Sequence, residues 1–428
     1  MKYFPLSKFK YIVQSNDDPK VITENEYQHR LNAYTVQKTP LFPLLSYRSE
    51  QQTSKYPIFF LPLPEILSLA EQFRMNSKHI EEIASHLPSI AISQFLNSLL
   101  VSEIFYTNEI EGVKTSKIEI GTVIQENNLN ANRKNSVSKR RLGSTIKLYQ
   151  QTQYGKPIQI NTLQDFRKIY DTLLKGEITP DRLPNGEIFR DRLPNGEVLT
   201  IGSATKGVHR PPASEDKIQH ALTALIEFMN DDHMPALFKA LITHFFFENT
   251  HPFLDGNGRM GRYLLSSYLS SKFDRFTGFS VATPFHAHVQ QYYRDFIEAD
   301  NADLTLFIQS LLAILVNQQQ ENLITLRQLK DELDDAQGMI QDWVTQNQTT
   351  FPKNISAKLV GQVLYYLAQS KLFSYQSSLG IKDNEIIEKN KRKGIAMAKT
   401  RRAITFLTEA SAIKLISKKP KQHEILII

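Results

Sequence analysis

The sequence predicts an all-α protein that carries a small β-hairpin and ends in a winged-helix-like domain. Three observations support this fold class. From residue 64 onward, apolar residues recur at helical spacing through most of the chain. Two Asn-Gly pairs, which are strong hairpin signals, interrupt the helical pattern between residues 179 and 213. Three short helix candidates and two β-like runs then close the chain in the order typical of a winged helix-turn-helix.

Composition indicates an ordinary globular protein of two or three domains. The chain has 428 residues, of which 41% are hydrophobic and 22% are charged, so it can bury a sizeable core. The absence of cysteine excludes disulfides, thiolate nucleophiles and cysteine-ligated zinc. No secretory signal is visible, and the longest apolar run, 304–316, is too short to span a bilayer. A soluble cytoplasmic protein with no membrane partner is expected.

The net charge of +7 is concentrated at one end of the chain. Residues 382–428 contain twelve lysines and arginines against five acidic residues, so the rest of the chain is neutral overall. The basic character therefore belongs to the C-terminal region rather than to the whole surface.

The first 60 residues show no sustained periodicity and are predicted to form a mostly irregular N-terminal extension. A helix is predicted from Pro64, and a second one follows Pro88 and runs to Gly112, a plausible left-handed stop. A third helix is predicted around residues 116–125.

The heptapeptide Asp-Arg-Leu-Pro-Asn-Gly-Glu occurs twice, at 181–187 and at 191–197. Each copy is followed by a short strand-like run. Two interpretations remain open at this point: a duplicated surface loop without a role, or a β-hairpin flap beside a binding site.

Helical periodicity resumes at Ser214, a good N-cap residue. The next helix begins at Pro235 and is apolar nearly all round, which predicts a central buried helix ending near residues 249–250. A glycine-rich stretch and a further helix follow. One or two long helices are predicted over 303–347, with 316–350 as a helical connector to the basic domain at 351–428.

The glycine-rich stretch joins these two helices and reads His251-Pro-Phe-Leu-Asp-Gly-Asn-Gly-Arg-Met-Gly-Arg262. Glycine and asparagine accept positive φ, so backbone N–H groups can converge at the start of the following helix and form an anion site suited to phosphates. Arg259 and Arg262 lie on one helix face and are natural phosphate ligands. Asp255 is predicted to bind Mg²⁺, and His251 is the nearby group able to accept a proton near neutral pH.

A match to this whole pattern would arise by chance in a chain of this length with odds on the order of one in a million. The stretch resembles the signature of the Fic family, His-x-Phe-x-(Asp/Glu)-Gly-Asn-Gly-Arg-x-x-Arg, and it agrees at every fixed position. The resemblance implies an all-helical Fic core over residues 61–315 with a small flap hairpin. It further implies transfer of AMP from ATP to Ser, Thr or Tyr of a protein, including the protein itself.

Within that resemblance each residue has an expected role. His251 would deprotonate the target hydroxyl, and Asp255 would hold Mg²⁺ between the α- and β-phosphates. The remaining positions would bind the phosphates through backbone and guanidinium groups: Gly256, Asn257, Gly258, Arg259, Met260, Gly261 and Arg262.

A second family feature lies upstream. Thr107-Asn-Glu-Ile-Glu111-Gly112 matches the inhibitory pattern (Ser/Thr)-x-x-x-Glu-(Gly/Asn) of self-inhibited Fic proteins. The resemblance implies that Glu111, at the end of a helix over about 89–112, pairs with Arg262 and occupies the seat of the γ-phosphate. The alternative is an ordinary surface glutamate.

The resemblance also favours the flap interpretation and assigns it to about 187–202, with Ile201 and Gly202 nearest the nucleotide. Such a flap would hold the target segment by β-strand addition. Tyr292 and Tyr293 resemble adenine-side tyrosines, although a packed pair of helix residues is the alternative. His244 and Glu248 are interpreted as structural.

Two other functions remain open. A related protein could transfer another phosphate-containing group or remove one, and a DNA-binding regulator could use the same core to sense nucleotide. The intact His251 and Asp255 favour an enzyme, which leaves DNA as an accessory partner and a homodimer as a candidate assembly.

Overall fold

The structure is a computed structural model that describes residues 3–9, 11–13, 16–43, 55–130, 140–155, 158–193, 197, 199–203, 207–299, 301–375 and 380–428. Helices dominate it, and its strands are short. The predicted mostly helical class with small hairpins is confirmed.

The N-terminal region is more ordered than predicted. It contains α1 (Leu6–Phe9), α2 (Pro19–Leu31) and the strands β1 (Gln37–Lys38) and β2 (Phe59–Phe60), which pair antiparallel. The prediction of a mostly irregular segment was wrong for α2. Asp18 caps this helix by accepting from the amide of Lys20, and Pro19 occupies its first turn. The Asp18-Pro19 pair in the sequence could have predicted the start of this helix.

Five helices precede the hairpin region: α3 (Pro64–Ser85), α4 (Ser89–Ile110), α5 (Lys117–Asn130), α6 (Gly143–Gln153) and α7 (Leu163–Leu173). The first three agree with the predicted helices, and Gly112 adopts the expected left-handed conformation at φ 69°. The last two were missed, although Thr162 and Asp165 form a capping box at the start of α7.

By length and composition alone, α4 could cross a membrane. Half of its most apolar stretch is buried inside the protein, and that helix also carries the buried Glu103. Both features are typical of a core helix.

The hairpin lies further along the chain than predicted. Its strands are β3 (Ile201–Ser203) and β4 (Gly207–His209), paired antiparallel with Gly202 opposite Val208. The first heptapeptide forms no strand, because the amides of residues 187–189 donate to the carboxylate of Glu215 instead of a neighbouring strand. In the second copy, residues 194–196 lie outside the described part of the chain.

Two consecutive helices flank the glycine-rich stretch: one ends just before it, and the other begins within it. The helices of this region are α8 (Glu215–Asn230), α9 (Ala236–Thr250), α10 (Asn257–Lys272), α11 (Arg275–Gly278), α12 (Ala282–Ala287), α13 (Val289–Ala299) and α14 (Thr305–Asn347). α9 is buried along nearly its whole length, as its apolar sequence predicted. α14 is one continuous helix, so the predicted boundary at residue 316 falls inside it.

The chain divides into two compact units whose limits differ from the predicted domains. The first comprises residues 1–78 and 102–320, and the second comprises 79–101 and 321–428. The second unit therefore includes a segment of α3 and α4 that no sequence pattern had assigned to the C-terminal region.

The C-terminal part of the second unit contains α15 (Ala357–Phe373), β5 (Ile381–Lys382), α16 (Asp383–Arg392), α17 (Met397–Glu409), β6 (Ile413–Lys418) and β7 (Lys421–Ile425). The strands form an antiparallel sheet in the order β5-β7-β6. Three helices with a terminal hairpin follow the predicted order, and β5 adds a third strand.

Candidate active site

The end of α9 places His251. The amide of His251 donates to the carbonyl of Phe247 at 3.0 Å, and the backbone then turns into the left-handed region at φ 48° and ψ 62°. This conformation is uncommon for a residue that carries a Cβ atom. It ends the helix and starts the loop that leads to α10.

The loop after His251 is closed by its own side chains. Phe253 is fully buried, and its ring stacks on that of Tyr170 with 3.8 Å between centroids. The side chain of Asn257 accepts from the amide of Phe253 at 2.9 Å and donates to its carbonyl at 2.8 Å. The Asn257 side chain therefore braces the loop, and its backbone N–H remains the group that could contact a ligand.

The start of α10 has the local geometry of an anion site. Gly256 is its N-cap at φ 82°, and a Cβ atom there would collide with Leu174. The first helical N–H groups, from Asn257 to Arg259, have no partner within the helix. They lie at the positive end of the helix dipole, which is suited to a phosphate.

Two further residues of the predicted cradle lie deeper in the protein. Met260 is fully buried, so its side chain belongs to the core. Gly261 packs against Glu248, whose carboxylate would collide with any Cβ atom at this position. Burial raises the pKa of Glu248 to about 8, which favours a neutral carboxyl at neutral pH despite the nearby Arg262.

Arg262 is enclosed by the C-terminal end of α4. Its Nη2 atom donates to Oε1 of Glu111 at 2.6 Å, and its Nε atom donates to the hydroxyl of Thr107 at 2.8 Å. Burial opposes the charged guanidinium, yet the Glu111 carboxylate raises the pKa of Arg262 above its usual value. This is the contact that the inhibitory pattern implied. The carboxylate of Glu111 also fills the space beside Gly258, where a Cβ atom would collide with it.

Arg259 forms a second buried pair that the sequence did not suggest. Its Nη1 atom donates to Oε2 of Glu177 at 3.0 Å, and both side chains are about 5% exposed or less. Burial raises the pKa of Glu177, although Arg259 opposes this change. The Nη2 atom of Arg259 lies 3.7 Å from Oδ1 of Asp255. The guanidinium of Arg259 is thus already held by a buried carboxylate.

Electrostatics favour the neutral form of His251. Desolvation and the charge of Arg190 lower the pKa of His251 to about 3, and His209 acts in the same direction. The imidazole is therefore unprotonated at neutral pH and can accept a proton, which a general base requires.

Asp255 keeps 52% of its side chain exposed at the mouth of the loop. Among the described residues, no group of three His, Asp or Glu side chains could enclose a metal ion. A single open carboxylate beside a phosphate site still fits Mg²⁺, which commonly binds through one carboxylate together with substrate phosphates and water.

The predicted flap residues flank this region. Ile201 lies opposite His209 in the hairpin, and Gly202 has φ 96°. The Nε2 atom of His209 lies 2.7 Å from the carbonyl oxygen of Asn249, which connects β4 to the last turn of α9.

The two tyrosines of α13 have different surroundings. Tyr292 is buried, and its hydroxyl lies 2.8 Å from Nε2 of His244. Tyr293 is 47% exposed and donates to the carbonyl of Ile110 at 3.3 Å. Only Tyr293 offers surface to a ligand. Desolvation lowers the pKa of His244 to about 3, in keeping with the expected core role of this histidine.

Sequence reasoning missed three charged residues near the motif. Glu103 and Glu177 approach it from other helices or loops, and Arg190 contacts the loop of His251 from a segment beside the repeated heptapeptide. Glu103 precedes Thr107 and Glu111 at intervals of four residues, and this spacing was a signal available in the sequence.

Residues 160–269 match the model of the Fic/DOC family. This part of the chain is similar to Fic/DOC domains. This match includes His251 and both arginines of the motif, whereas Glu111 lies before its first residue.

Several solved structures resemble the chain. A Fic family protein from Desulfovibrio desulfuricans G20 is 17% identical, with 85% of this chain and 96% of that chain covered and a TM-score of 0.46. Fic-1 (residues 134–508) from C. elegans is 16% identical, covers 61% and 74%, and has a TM-score of 0.40. A Fic domain containing signaling protein from Bacteroides thetaiotaomicron VPI-5482 is 16% identical, covers 61% and 97%, and has a TM-score of 0.38.

Proposed function

We propose that this protein transfers AMP from ATP to a Ser, Thr or Tyr hydroxyl of a protein, including itself. Fic domain proteins commonly transfer nucleotide or other phosphate-containing groups to proteins. The observation that carries the proposal is that His251, whose imidazole pKa is lowered by burial, lies in the same short loop as the N-terminus of α10. A proton acceptor beside a phosphate seat is the pair that this transfer requires.

In the proposed reaction, the imidazole of His251 takes the proton of the target hydroxyl. The hydroxyl oxygen forms a bond to the α-phosphorus, the bond from that phosphorus to the bridging oxygen breaks, and pyrophosphate leaves. The negative charge of the bound phosphates would raise the pKa of His251 from its low resting value, which makes the imidazole a more effective base.

The backbone N–H groups of residues 257–259 would bind phosphate oxygens, and Arg262 would bind the outer phosphate after it separates from Glu111. Asp255 would hold Mg²⁺, which neutralises phosphate charge when bound. The exposed face of Tyr293 would border the nucleotide, with Ile201 and Gly202 as the hairpin residues nearest to it, while the hairpin as a whole would hold the target segment.

We further propose that Glu111 inhibits the resting protein. Its carboxylate accepts a hydrogen bond from the guanidinium of Arg262, to which the terminal phosphate would bind, and it fills the space beside Gly258. ATP can therefore bind productively only after the ion pair opens.

Intact-mass measurement after incubation with ATP and Mg²⁺ tests the transfer. A mass increase equal to one AMP is expected, larger in Glu111→Gly than in wild type, and absent in His251→Ala. His251→Ala should still bind nucleotide, because the base acts on the target hydroxyl. His220→Ala, which changes an exposed histidine of α8, is the matched control and should keep wild-type transfer. Addition of a different phosphate-containing group would support the alternative chemistry, and no added mass in Glu111→Gly would contradict the proposal.

DNA binding is a second candidate function, carried by the basic C-terminal region. A groove of about 340 Å³ on α17 is lined by Lys353, Arg401 and Arg402, with Glu409 as the acidic residue in its lining. If the region is a winged helix, α17 would enter the major groove and the Lys418–Lys421 turn would contact phosphate. The full chain should shift a duplex at low salt and lose affinity steeply as salt rises. Arg401→Ala with Arg402→Ala should abolish the shift, and a wild-type protein that shifts no duplex would exclude this function.

A further inference from the structure

Arg190 is one of the most deeply buried charged residues of the described chain, with 1% of its surface exposed. Its guanidinium donates to three carbonyl oxygens: from Nε to His251 at 2.7 Å, from Nη1 to Pro212 at 2.8 Å and from Nη2 to Thr250 at 3.4 Å. Its own amide donates to the carbonyl of Pro252 at 3.0 Å. A single residue therefore contacts three consecutive residues around the candidate base.

Two of the carbonyls that Arg190 binds, those of Thr250 and His251, belong to the end of α9, which leaves them without helical partners. They carry the negative end of the helix dipole, so a buried cation is well placed there. The same turn holds His251 in a left-handed conformation, at φ 48°, that side chains with a Cβ atom rarely adopt. Such a conformation persists only where surrounding contacts enforce it.

The segment that carries Arg190 is itself fixed. The carboxylate of Glu215 accepts from the amides of Ile188 and Phe189 at 2.6 and 2.8 Å, and Asp191 accepts from the amide of Glu215 at 3.1 Å. The segment of Arg190 therefore connects the start of α8 to the loop of His251 through hydrogen bonds.

We propose that Arg190 is a positioning residue that fixes the backbone of His251 and thereby aims its imidazole for proton transfer. The catalytic part of this inference rests on the proposed transferase function, whereas the structural part does not. The charge of Arg190 also acts on the imidazole, since it is the second cause, after burial, of the lowered pKa of His251. None of these hydrogen bonds reaches the N–H groups of α10 or the two motif arginines. A substitution of Arg190 should therefore change turnover more than nucleotide affinity.

The structural part is tested by hydrogen exchange of the full chain, measured on peptides that cover residues 247–255. Arg190→Gln should exchange faster there than wild type, because the end of α9 loses its clamp. Arg167→Gln is the matched control, since Arg167 also donates to a carbonyl, that of Ile188 at 3.0 Å, but pairs with Asp171 on its own helix. A hydrogen-exchange rate over residues 247–255 that is the same in Arg190→Gln and wild type would contradict the structural role of Arg190.

The catalytic part is tested by steady-state transfer in the Glu111→Gly background. Arg190→Gln should lower kcat by about tenfold to a hundredfold with KM for ATP nearly unchanged, since misplacing a reacting group costs rates of this order. Arg190→Lys keeps the charge and some donors, so it should recover part of kcat. It also serves as the test variant if Arg190→Gln does not fold. A kcat close to that of the parent in both variants would overturn the positioning role. If exchange is faster in Arg190→Gln but the Glu111→Gly parent transfers no group, the structural role of Arg190 stands and the proposed transferase function is rejected.

Discussion

Glu111 and Arg262 form an ion pair of unequal burial. The side chain of Arg262 is 1% exposed, whereas that of Glu111 remains 30% exposed, and their closest atoms lie 2.6 Å apart. The arginine is fixed by a second hydrogen bond to Thr107, so the glutamate is the partner that can leave. The pair can therefore open without moving α10, which is what a reversible block of a phosphate seat requires.

Glu111→Gly should raise AMP transfer by about tenfold or more, because tenfold corresponds to only about 1.4 kcal/mol of bias toward the open seat. The rate of AMP transfer is measured with radiolabelled ATP. Glu109→Gly, at an exposed position of the same helix turn, should not activate. Arg262→Ala should also fail to activate, since it removes the phosphate ligand together with the pair. An inactive or unaccelerated Glu111→Gly of unchanged melting temperature would reject the inhibitory role.

Asp255→Ala should weaken nucleotide binding in the presence of Mg²⁺ and leave binding in EDTA unchanged or slightly stronger. The reason is that the variant removes an open carboxylate which repels phosphate unless a cation intervenes. Calorimetric titration of a nonhydrolysable ATP analogue, with and without Mg²⁺, gives both affinities. Equal magnesium dependence in Asp255→Ala and wild type would show that this carboxylate does not hold the metal.

Arg259→Ala should destabilise the fold by about 3–5 kcal/mol, because it leaves the buried Glu177 without its partner. Urea denaturation measures this loss. Combining Arg259→Ala with Glu177→Gln should recover part of the stability, since the uncompensated charge is gone. Arg182→Ala, which breaks an exposed pair with Asp181, should leave the free energy of unfolding nearly unchanged. Equal losses at Arg259 and Arg182 would argue against a buried pair.

Glu103→Gln should make stability less dependent on pH. Glu103 is fully buried, and desolvation raises its pKa to about 8 although its carboxylate accepts from the amides of Val281 and Ala282 at 2.9 and 2.7 Å. Because the folded pKa lies above the ordinary value of 4.5, the folded state binds the proton more tightly. The associated stability is fully present below about pH 4.5 and is lost as pH rises through about 8.

One pKa unit corresponds to about 1.4 kcal/mol, so the loss in wild type should reach a few kcal/mol between pH 5 and pH 8. Thermal unfolding at both pH values should show a smaller decline in Glu103→Gln, whose amide can still accept from both N–H groups. An equal decline in the two proteins would show that Glu103 does not titrate with folding.

Much of the central region could be predicted from local signals. The apolar stripe of α9, the capping residue Ser214 and the glycines after His251 each specify local conformation, and the structure places these helices accordingly. The Asn-Gly signal at 185–186 misled the hairpin prediction, because Glu215 satisfies the neighbouring amides. A turn signal describes local preference, whereas a strand also needs a partner.

The sequence by itself determined the helical class, the spacing of the candidate base and candidate phosphate ligands within one short loop, and the position of the candidate inhibitory pattern relative to it. These features follow from helical periodicity and from residues close together in the chain. Only the tertiary structure decided that Glu177 holds Arg259, that Arg190 clamps the carbonyl of His251, and that Asn257 braces its own loop. The first two contacts join residues 82 and 61 positions apart, and such pairings depend on how helices pack rather than on local preference.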